Sequence, residues 1–198
     1  MQFVLASHNQ KKLAELSVIL NGLGIEILPL PEQAPEPEEN GTTFEENARI
    51  KAKSAADFTG LPAIADDSGL CVDALDGAPG IYSARYCAGT DQDRNAFLLQ
   101  NMQGQENRTC RFVCAAACVL PDGETITVRG ECEGELLCES RGAGGFGYDP
   151  LFYVPSHGCT FGELPGEVKN EISHRGRALR KLREALELRM QDTGFENG

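Results

Sequence analysis

The sequence predicts an α/β protein built from one domain, or from one domain with a small lobe. Three observations support this fold class. Short apolar runs at residues 3–6, 25–28 and 63–65 are typical of buried strands. Segments of helical length, with leucines or alanines on one face, follow the first two of these runs. The length of 198 residues allows a sizeable core, and the 41% hydrophobic and 24% charged shares are ordinary for a globular protein.

The first strand–loop–helix unit contains a candidate anion site. The loop after residues 3–6 leads into a helix predicted from about Lys11 to Asn21, and its connecting segment reads Ser7-His8-Asn9-Gln10-Lys11-Lys12. A helix start offers free backbone N–H groups and a positive end to an anion, and the two lysines add charge. The loop lacks the glycines of a standard phosphate loop, so a plain turn with two solvated lysines is the alternative.

A segment rich in proline and glutamate, residues 29–41, follows the second predicted strand. Its composition cannot pack a core, so we expect an exposed loop. The loop is either a linker or a means of bringing Glu38 or Glu39 to a bound metal.

The next helix is predicted to begin at Thr43, which forms a capping box with Glu46, and to run to about Thr59. Its alanines allow close packing against a sheet. Asn47 and Lys51 lie one turn apart on one face of this helix. Lys51 is either a solvated helix lysine or a second cation for a phosphate chain.

Two adjacent carboxylates, Asp66 and Asp67, follow the apolar run at residues 63–65 and precede Ser68 and Gly69. In open α/β sheets, ligands bind at the carboxyl ends of the strands. Two neighbouring carboxylates in a half-buried loop repel each other, and a divalent metal is the simplest group that neutralises them. The alternative is a solvated turn, because Asp, Ser and Gly are common turn residues.

The middle of the chain predicts structure without evident chemistry. The Gly and Pro residues in 76–86 predict a sharp turn, with Arg85 facing either a ligand or solvent. A helix is predicted at 91–102. Residues 111–120 and 124–132, joined through a Pro-Asp-Gly sequence, are typical of a hairpin.

The stretch from 141 to 150 holds four glycines in six positions, which lets the backbone approach a ligand closely. Phe146 and Tyr148 within it suit stacking on a nucleobase, or they pin the loop to the core. Lys169, His174 and Arg175 precede an amphipathic C-terminal helix, where they can donate to a base or phosphate. The alternative is a charged helix start, although cations there oppose the helix dipole.

Composition excludes several classes of function. A net charge of −12 argues against binding nucleic acid through its phosphates. No apolar run approaches the ~20 residues needed to cross a bilayer, and the N-terminus has no basic stretch typical of a signal peptide. The eight cysteines include no Cys-x-x-Cys pair, and none is at zinc-finger spacing with the three histidines. We therefore expect eight reduced thiols in a cytoplasmic protein.

Six motifs between residue 3 and about residue 190 resemble, in order and spacing, those of the inosine/xanthosine triphosphate pyrophosphatases. They are Ser7-x-Asn9-x-x-Lys12, Thr43-Phe44-x-Glu46-Asn47-Ala48, Ala65-Asp66-Asp67-Ser68-Gly69-Leu70, Gly77-Ala78-Pro79-Gly80-x-Tyr82-Ser83-Ala84-Arg85, Gly145-Phe146-Gly147-Tyr148-Asp149-Pro150 and Ser173-His174-Arg175. The resemblance implies a mixed α/β fold with a long twisted central sheet flanked by helices. It implies a single domain over residues 1–198, with two lobes and a cleft between them. It also implies a homodimer that uses Mg²⁺ to hydrolyse dITP, ITP and XTP to the nucleoside monophosphate and pyrophosphate.

The resemblance further implies roles for individual residues at the phosphate end. The triphosphate would be held by the segment Ser7, His8, Asn9, Gln10, Lys11 and Lys12, although many members have glycine where His8 stands. Lys12 and Lys51 would supply cations, and Ser68 would contact the substrate. Asp67 would act as general base and metal-associated carboxylate. Glu38 or Glu39 would supply a second metal ligand.

At the base end, the resemblance implies that four consecutive residues stack on or bond to the purine: Phe146, Gly147, Tyr148 and Asp149. Lys169, His174 and Arg175 would read its edge. Hypoxanthine and xanthine present an acceptor at position 6, which a lysine or arginine satisfies. Adenine presents a donor there and would leave buried donors unpaired, at about 1–3 kcal/mol for each group.

Three other functions are weighed against this one. A related pyrophosphatase for pyrimidine or methylated nucleotides is disfavoured by the purine-edge donors at residues 173–175. A phosphatase with Asp66 or Asp67 as nucleophile would release inorganic phosphate instead of pyrophosphate. A nucleotide sensor without turnover would gain little from paired acids beside two lysines.

Overall fold

Seven strands form one sheet in the computed structural model, which describes residues 1–192. In chain order the strands are β1 (Gln2–Leu5), β2 (Glu26–Leu28), β3 (Ala63–Val72), β4 (Thr109–Val119), β5 (Thr125–Leu136), β6 (Phe152–Val154) and β7 (Cys159–Thr160). Across the sheet they are ordered β2-β1-β3-β4-β5-β6-β7. β1 pairs in parallel with β2 and β3, whereas β6 is antiparallel to both β5 and β7. The mixed, twisted sheet of the predicted fold class is therefore confirmed.

Five α-helices flank the sheet among the described residues. They are α1 (Gln10–Ile19), α2 (Phe44–Thr59), α3 (Asp91–Asn101), α4 (Gly166–Ile172) and α5 (His174–Asp192). The predicted helices at 11–21, 43–59 and 91–102 are confirmed within one or two residues. None of the five combines the length and apolar character needed to span a bilayer.

The chain runs through two compact units. The first unit contains residues 1–67, 115–130 and 177–192. Its core includes β1 and the alanine face of α2, where Ala48 and Ala52 are fully buried. Small side chains on this face let the helix approach the sheet closely, as the alanine spacing predicts.

The second unit contains residues 68–114 and 131–176. Its core is aromatic: Phe112, Phe152 and Phe161 are buried, and the ring centroids of Phe112 and Phe152 are 4.6 Å apart. Centroid distances of this size are typical of stabilising aromatic pairs. Leu98 of α3 is buried in the same cluster, which fixes this helix to the unit.

Four of the eight cysteines are buried as small hydrophobic residues are. All eight lie within the described residues, and none of them forms a disulfide there. Cys110, Cys114 and Cys118 lie at even spacing on β4 and are buried, so their side chains share one face of the strand. Burial raises the pKa of Cys110 and of Cys118 to about 12, so both thiols are protonated at neutral pH.

Candidate active site

The two adjacent carboxylates lie inside β3 and not in a loop after it, so the predicted end of the strand at residue 65 is wrong. Asp66 and Asp67 are 6% and 9% exposed. Neighbouring side chains on a strand point to opposite faces, so each carboxylate has its own surroundings. The strand continues through this polar pair because each carboxylate meets a lysine from a different helix.

Asp66 meets the start of α1. Its Oδ2 accepts a hydrogen bond from Lys12 Nζ at 2.8 Å. Asn9 caps the helix, because its Oδ1 accepts from the backbone N–H groups of Lys11 and Lys12 at 3.0 and 3.3 Å. The expectation of free N–H groups at this helix start is therefore wrong for these two residues. The positive charge that the segment offers to an anion comes mainly from the Lys12 ammonium.

Asp67 contacts two residues of α2, the buried Asn47 and the half-buried Lys51. Its Oδ1 accepts from Lys51 Nζ at 3.1 Å, and its Oδ2 accepts from Asn47 Nδ2 at 3.3 Å. Asn47 and Lys51 are one helical turn apart, as the sequence indicated. Burial raises the pKa of Asp67, and the nearby Lys51 ammonium opposes that rise only in part.

Glu39, and not Glu38, is the glutamate of the Pro-Glu loop that approaches this cluster. Its Oε1 lies 3.4 Å from Lys51 Nζ, so Glu39 and Asp67 share one ammonium group. Glu38 is exposed to solvent. The loop ends at Gly41, whose backbone N–H donates to Asn47 Oδ1 at 2.9 Å. Asn47 therefore links the loop to Asp67.

A cavity of about 450 Å³ within the first unit is lined by both lysines and by Asp66, whereas Asp67 lies behind Lys51 and is not among the lining residues. Its lining combines the loop before α1 with both lysines and includes Ser7, His8, Asn9, Lys12, Glu39, Lys51 and Asp66. Gln10 and Lys11 belong to the same predicted phosphate segment and are exposed on the first turn of α1. A cavity of this size with two lysines in its lining is suited to a chain of phosphates.

The donor set of this cluster fits a hard cation with few protein ligands. Among residues 1–192 there is no group of three or more His, Cys, Asp or Glu side chains arranged to hold a metal. Glu39 and Asp67 nevertheless lie close together, because Glu39 Oε1 and Asp67 Oδ1 are 3.4 and 3.1 Å from the same Lys51 Nζ. Mg²⁺ is commonly bound by one or two carboxylates, with water and substrate phosphates completing its coordination.

The predicted base-binding residues cluster in the second unit. The Phe146 ring is 73% exposed, and Lys169 Nζ lies 4.8 Å from its centroid. Lys169 Nζ also donates to Asp149 Oδ2 at 2.5 Å. Asp149 is 2% exposed, and burial raises its pKa against the opposing effect of Lys169. An exposed ring with a fixed cation beside it is suited to stacking on a base that carries hydrogen-bond acceptors.

The other predicted residues of this group occupy different surroundings. Tyr148 is 4% exposed and its hydroxyl donates to the Ser83 carbonyl at 2.9 Å, so its side chain is part of the core. Burial raises the pKa of this hydroxyl well above its usual range. The His174 ring stacks on Phe112 with centroids 4.7 Å apart. His174 and Arg175 are half-buried at the start of α5.

Two further results concern residues near these clusters. The expectation that His174 and Arg175 precede the C-terminal helix is wrong, because α5 begins at His174. Lys169 does precede that helix and lies on the separate helix α4, which ends before Ser173. Arg85, for which two orientations were open, is exposed and lies with its guanidinium carbon 5.2 Å from the Tyr82 ring centroid. Ser68 has a buried Oγ that bonds to no other group among the described residues, which leaves it able to contact a substrate.

The sequence singled out Asp66 as one of two paired carboxylates but gave no partner for it, and it assigned no role to Asn47. In the structure the Asp66 side chain fixes Lys12. Alternation along a strand is the signal that separates the two carboxylates, and it applies only if the pair is recognised as strand. Nothing local to the sequence connects Asn47 with Gly41 and Asp67.

Comparisons with known proteins agree with this arrangement of motifs. The family model described as the Ham1 family matches residues 3–185. A dITP/XTP pyrophosphatase of Exiguobacterium sp. is 52% identical over 186 residues, covering 92% of this chain and 95% of the relative. A dITP/XTP pyrophosphatase of Geobacter sulfurreducens is 51% identical over 191 residues, covering 93% of this chain and 96% of the relative.

Solved structures give the same result. A HAM1 protein from Coxiella burnetii superposes with a TM-score of 0.90 at 46% identity, covering 94% of this chain and 98% of that one. The Ham1 protein of Staphylococcus aureus superposes with a TM-score of 0.89 at 40% identity, with the same coverage. The predicted family resemblance is confirmed: this chain belongs to the Ham1 family.

Proposed function

We propose that this chain hydrolyses the deaminated purine nucleoside triphosphates dITP, ITP and XTP to the nucleoside monophosphate and pyrophosphate, and so removes them from the nucleotide pool. Relatives at about half identity over nearly the whole chain carry the name dITP/XTP pyrophosphatase. The observation that carries the proposal is that Lys12 and Lys51 both line one cavity and are each paired with a buried carboxylate.

The two lysines are suited to holding a triphosphate. Each ammonium is fixed by a carboxylate, Lys12 by Asp66 and Lys51 by Asp67, so little ordering is needed when a phosphate arrives. An ammonium has three N–H donors, and one carboxylate does not use them all. The remaining donors neutralise charge on phosphate oxygens, which lowers the barrier to attack at phosphorus. Ser7 and Asn9 line the same cavity and complete the phosphate end.

Asp67 is the proposed general base for the attacking water. A carboxylate removes a proton from water more effectively as its pKa rises toward the working pH, and burial raises the pKa of Asp67. Its two oxygens are held by Lys51 and Asn47, which fixes the direction of the free lone pairs. The proton passes from water to Asp67 as the oxygen attacks the α-phosphorus and pyrophosphate leaves.

Mg²⁺ is the proposed cofactor, with Glu39 and Asp67 as its protein ligands. When bound, the ion neutralises charge on the phosphate oxygens. Glu38 was an equal candidate from the sequence, and the proposal now excludes it because Glu39 alone of the two contacts the Lys51 ammonium.

The base is proposed to stack on Phe146, with its edge read by Lys169, His174 and Arg175. The support is the exposed ring beside the Lys169 ammonium. Asp149 acts here by fixing Lys169 and the Phe146 backbone, since its Oδ2 accepts from both. A cationic donor forms a hydrogen bond to the acceptor at position 6 of hypoxanthine or xanthine. Adenine has an amino group at that position, so the cationic donor would be left without a hydrogen bond.

A substrate panel tests the proposal. Purified protein with Mg²⁺ is given dITP, ITP, XTP, ATP and GTP, and the products are identified by anion-exchange chromatography. We expect monophosphate and pyrophosphate from the first three and little turnover of ATP or GTP. Turnover of ATP equal to that of dITP would refute the proposed recognition of the base. Release of inorganic phosphate would indicate a carboxylate-nucleophile phosphatase instead.

The same proposal includes a homodimer in the cytoplasm that binds neither nucleic acid nor membrane. Eight cysteines without a disulfide among the described residues suit a reducing compartment, and the net charge of −12 repels nucleic acid. Light scattering coupled to gel filtration measures the oligomeric state, with twice the chain mass of 21.4 kDa as the expected result.

A further inference from the structure

Two side chains of α3 hold the backbone of Gly147, in the glycine-rich loop that carries Phe146. The Gly147 N–H donates to Asp91 Oδ2 at 2.7 Å, and Asn95 Nδ2 donates to the Gly147 carbonyl at 3.1 Å. Asp91 and Asn95 are four residues apart and therefore lie on one face of the helix. One residue of the loop is thus held through both its donor and its acceptor.

Asp91, the residue of α3 that accepts from Gly147, is itself held in place. Thr90 and Asp93 form a capping box at the start of α3, and Arg94 donates to Asp91 Oδ1 at 2.5 Å. The Arg94 guanidinium, together with the Gly147 N–H, holds the pKa of Asp91 below its usual range. Asp91 is therefore an ionised acceptor of fixed direction at neutral pH.

The presence of an asparagine at the buried position 95 is not explained by the stability of the fold alone. The residue is 7% exposed, and its Oδ1 is buried without a hydrogen-bond partner among the described residues. A buried amide with one group unpaired is a cost that an apolar side chain of similar size avoids. Its amide nitrogen is used for the bond to Gly147.

The rest of the loop is anchored around the Phe146 ring, while the ring itself is not. The Phe146 N–H donates to Asp149 Oδ2 at 2.8 Å, and the Tyr148 hydroxyl donates to the Ser83 carbonyl at 2.9 Å. Phe146 is 73% exposed, and Lys169 Nζ lies 4.8 Å from its ring centroid. The direction of the ring therefore depends on the backbone at residues 146 and 147.

We propose that Asp91 and Asn95 are positioning residues that fix the Gly147 peptide, and through it the Phe146 ring, so that they set how tightly the base of the substrate is held. This inference rests on the proposed function, in which Phe146 stacks on the base. A binding surface that is ordered before the substrate arrives loses less free energy on binding. Loosening the Gly147 peptide should therefore weaken base binding more than it slows the chemistry at phosphorus.

The first test measures hydrogen–deuterium exchange of the loop in the enzyme without nucleotide. The variants are Asp91→Ala and Asn95→Ala, with Gln92→Ala as a control on an exposed position of the same helix. Peptides covering residues 143–150 should exchange about tenfold faster in both test variants, since each loses a hydrogen bond that fixes the loop. Exchange should be unchanged in Gln92→Ala and largely restored in Asp91→Asn, which keeps an acceptor oxygen.

The second test compares kinetics for dITP and dGTP. We expect KM for dITP to rise about three- to tenfold in both alanine variants, with kcat changed less than KM and a smaller preference for dITP over dGTP. If Asp91 and Asn95 only stabilised the fold, KM for dITP and the preference for dITP over dGTP would be unchanged. Thermal unfolding of each variant identifies any that fails to fold, and either alanine variant suffices for the test.

The outcomes separate this inference from the function on which it rests. Unchanged loop exchange in a folded Asn95→Ala variant overturns the inference whether or not the enzyme is active. Faster exchange with unchanged KM and unchanged base preference overturns the link to base binding. Absence of dITP turnover in the unmodified enzyme refutes the proposed function, and the exchange data still decide whether α3 fixes the loop.

Discussion

Replacing Asp67 by asparagine separates the chemical role of this carboxylate from its structural role. The substitution keeps the size of the side chain and removes its charge and its ability to take a proton. Asp67 Oδ1 lies 3.1 Å from Lys51 Nζ, and Oδ2 accepts from Asn47 Nδ2 at 3.3 Å. The amide oxygen of asparagine can still accept one of these bonds. The packing around residue 67 should therefore persist.

Two opposing effects determine the expected change in the free energy of unfolding. Removing one partner of a buried ion pair costs about 3–5 kcal/mol when the other charge is left unpaired. Lys51, however, keeps Glu39 at 3.4 Å. Burial raises the pKa of Asp67, so removing the negative charge also recovers part of its desolvation penalty. We expect a net change below about 2 kcal/mol, whereas loss of a general base lowers kcat by about 10²- to 10⁴-fold.

The assay combines steady-state kinetics on dITP, followed by pyrophosphate release, with unfolding in urea. Asp57→Asn is the matched control, because Asp57 is exposed on α2 and pairs with Lys53, which is exposed as well. We expect this control to keep its kcat and to lose less than about 0.5 kcal/mol. A kcat for Asp67→Asn within about threefold of the unmodified enzyme would refute the role as base. A loss of stability above about 3 kcal/mol would show that the carboxylate is mainly structural.

Three more predictions concern other parts of the molecule. Phe146→Ala should raise KM for dITP about tenfold through lost stacking, with the melting temperature nearly unchanged because the ring is 73% exposed; an unchanged KM would contradict base stacking there. Gly41→Ala should destabilise by about 1–3 kcal/mol, because a Cβ would lie 2.6 Å from Asn47 Oδ1. Gly166→Ala, where a Cβ meets nothing within 4 Å, is its control in urea unfolding, and equal losses would contradict the steric argument. The pKa of Asp91 is lower in the folded protein than in the unfolded chain, where it is about 4. This difference stabilises the fold above about pH 4, and the stabilisation is lost as the pH falls through the lower pKa of the folded state. The stability difference between the unmodified protein and Asp91→Asn should therefore shrink below about pH 4, and a difference that grows in acid would contradict it.

Local signals predicted the helices well because their physical causes are local. The Thr43 hydroxyl accepts from the Glu46 N–H at 3.1 Å at the start of α2, and Gly60 ends that helix in a left-handed conformation. The reciprocal half of the capping box is shifted, since the Glu46 carboxylate accepts from the N–H of Thr42. The alanine face of α2 was likewise visible in the spacing of small residues.

The prediction that the strand ends before Asp66 and Asp67 was wrong because the cause of the strand's continuation is not local. Turn propensity predicted a loop, because isolated carboxylates are costly to bury. The cost is offset by Lys12 and Lys51, which are 54 and 16 residues away in the chain. A strand can pass through a charged pair only when other elements bring the opposite charges, and single-sequence patterns do not report those partners.

The choice between Glu38 and Glu39 shows the same limit. Both glutamates lie in a segment whose composition predicts only an exposed loop. The end of that loop is fixed by the bond from Gly41 N–H to Asn47, and Glu39 then reaches Lys51. Asp91 and Asn95 also went unrecognised, because their partner Gly147 lies more than 50 residues away.

By itself, the sequence determined the fold class and the family, and it supplied the candidate phosphate-binding and base-binding residues, since these follow from short-range spacing and from motifs in a fixed order. Only the tertiary structure decided which lysine neutralises which carboxylate, which glutamate joins them, and what holds the loop beneath Phe146. The physical reason is that charge pairing and burial depend on distance in space, and the groups concerned are brought together from distant parts of the chain.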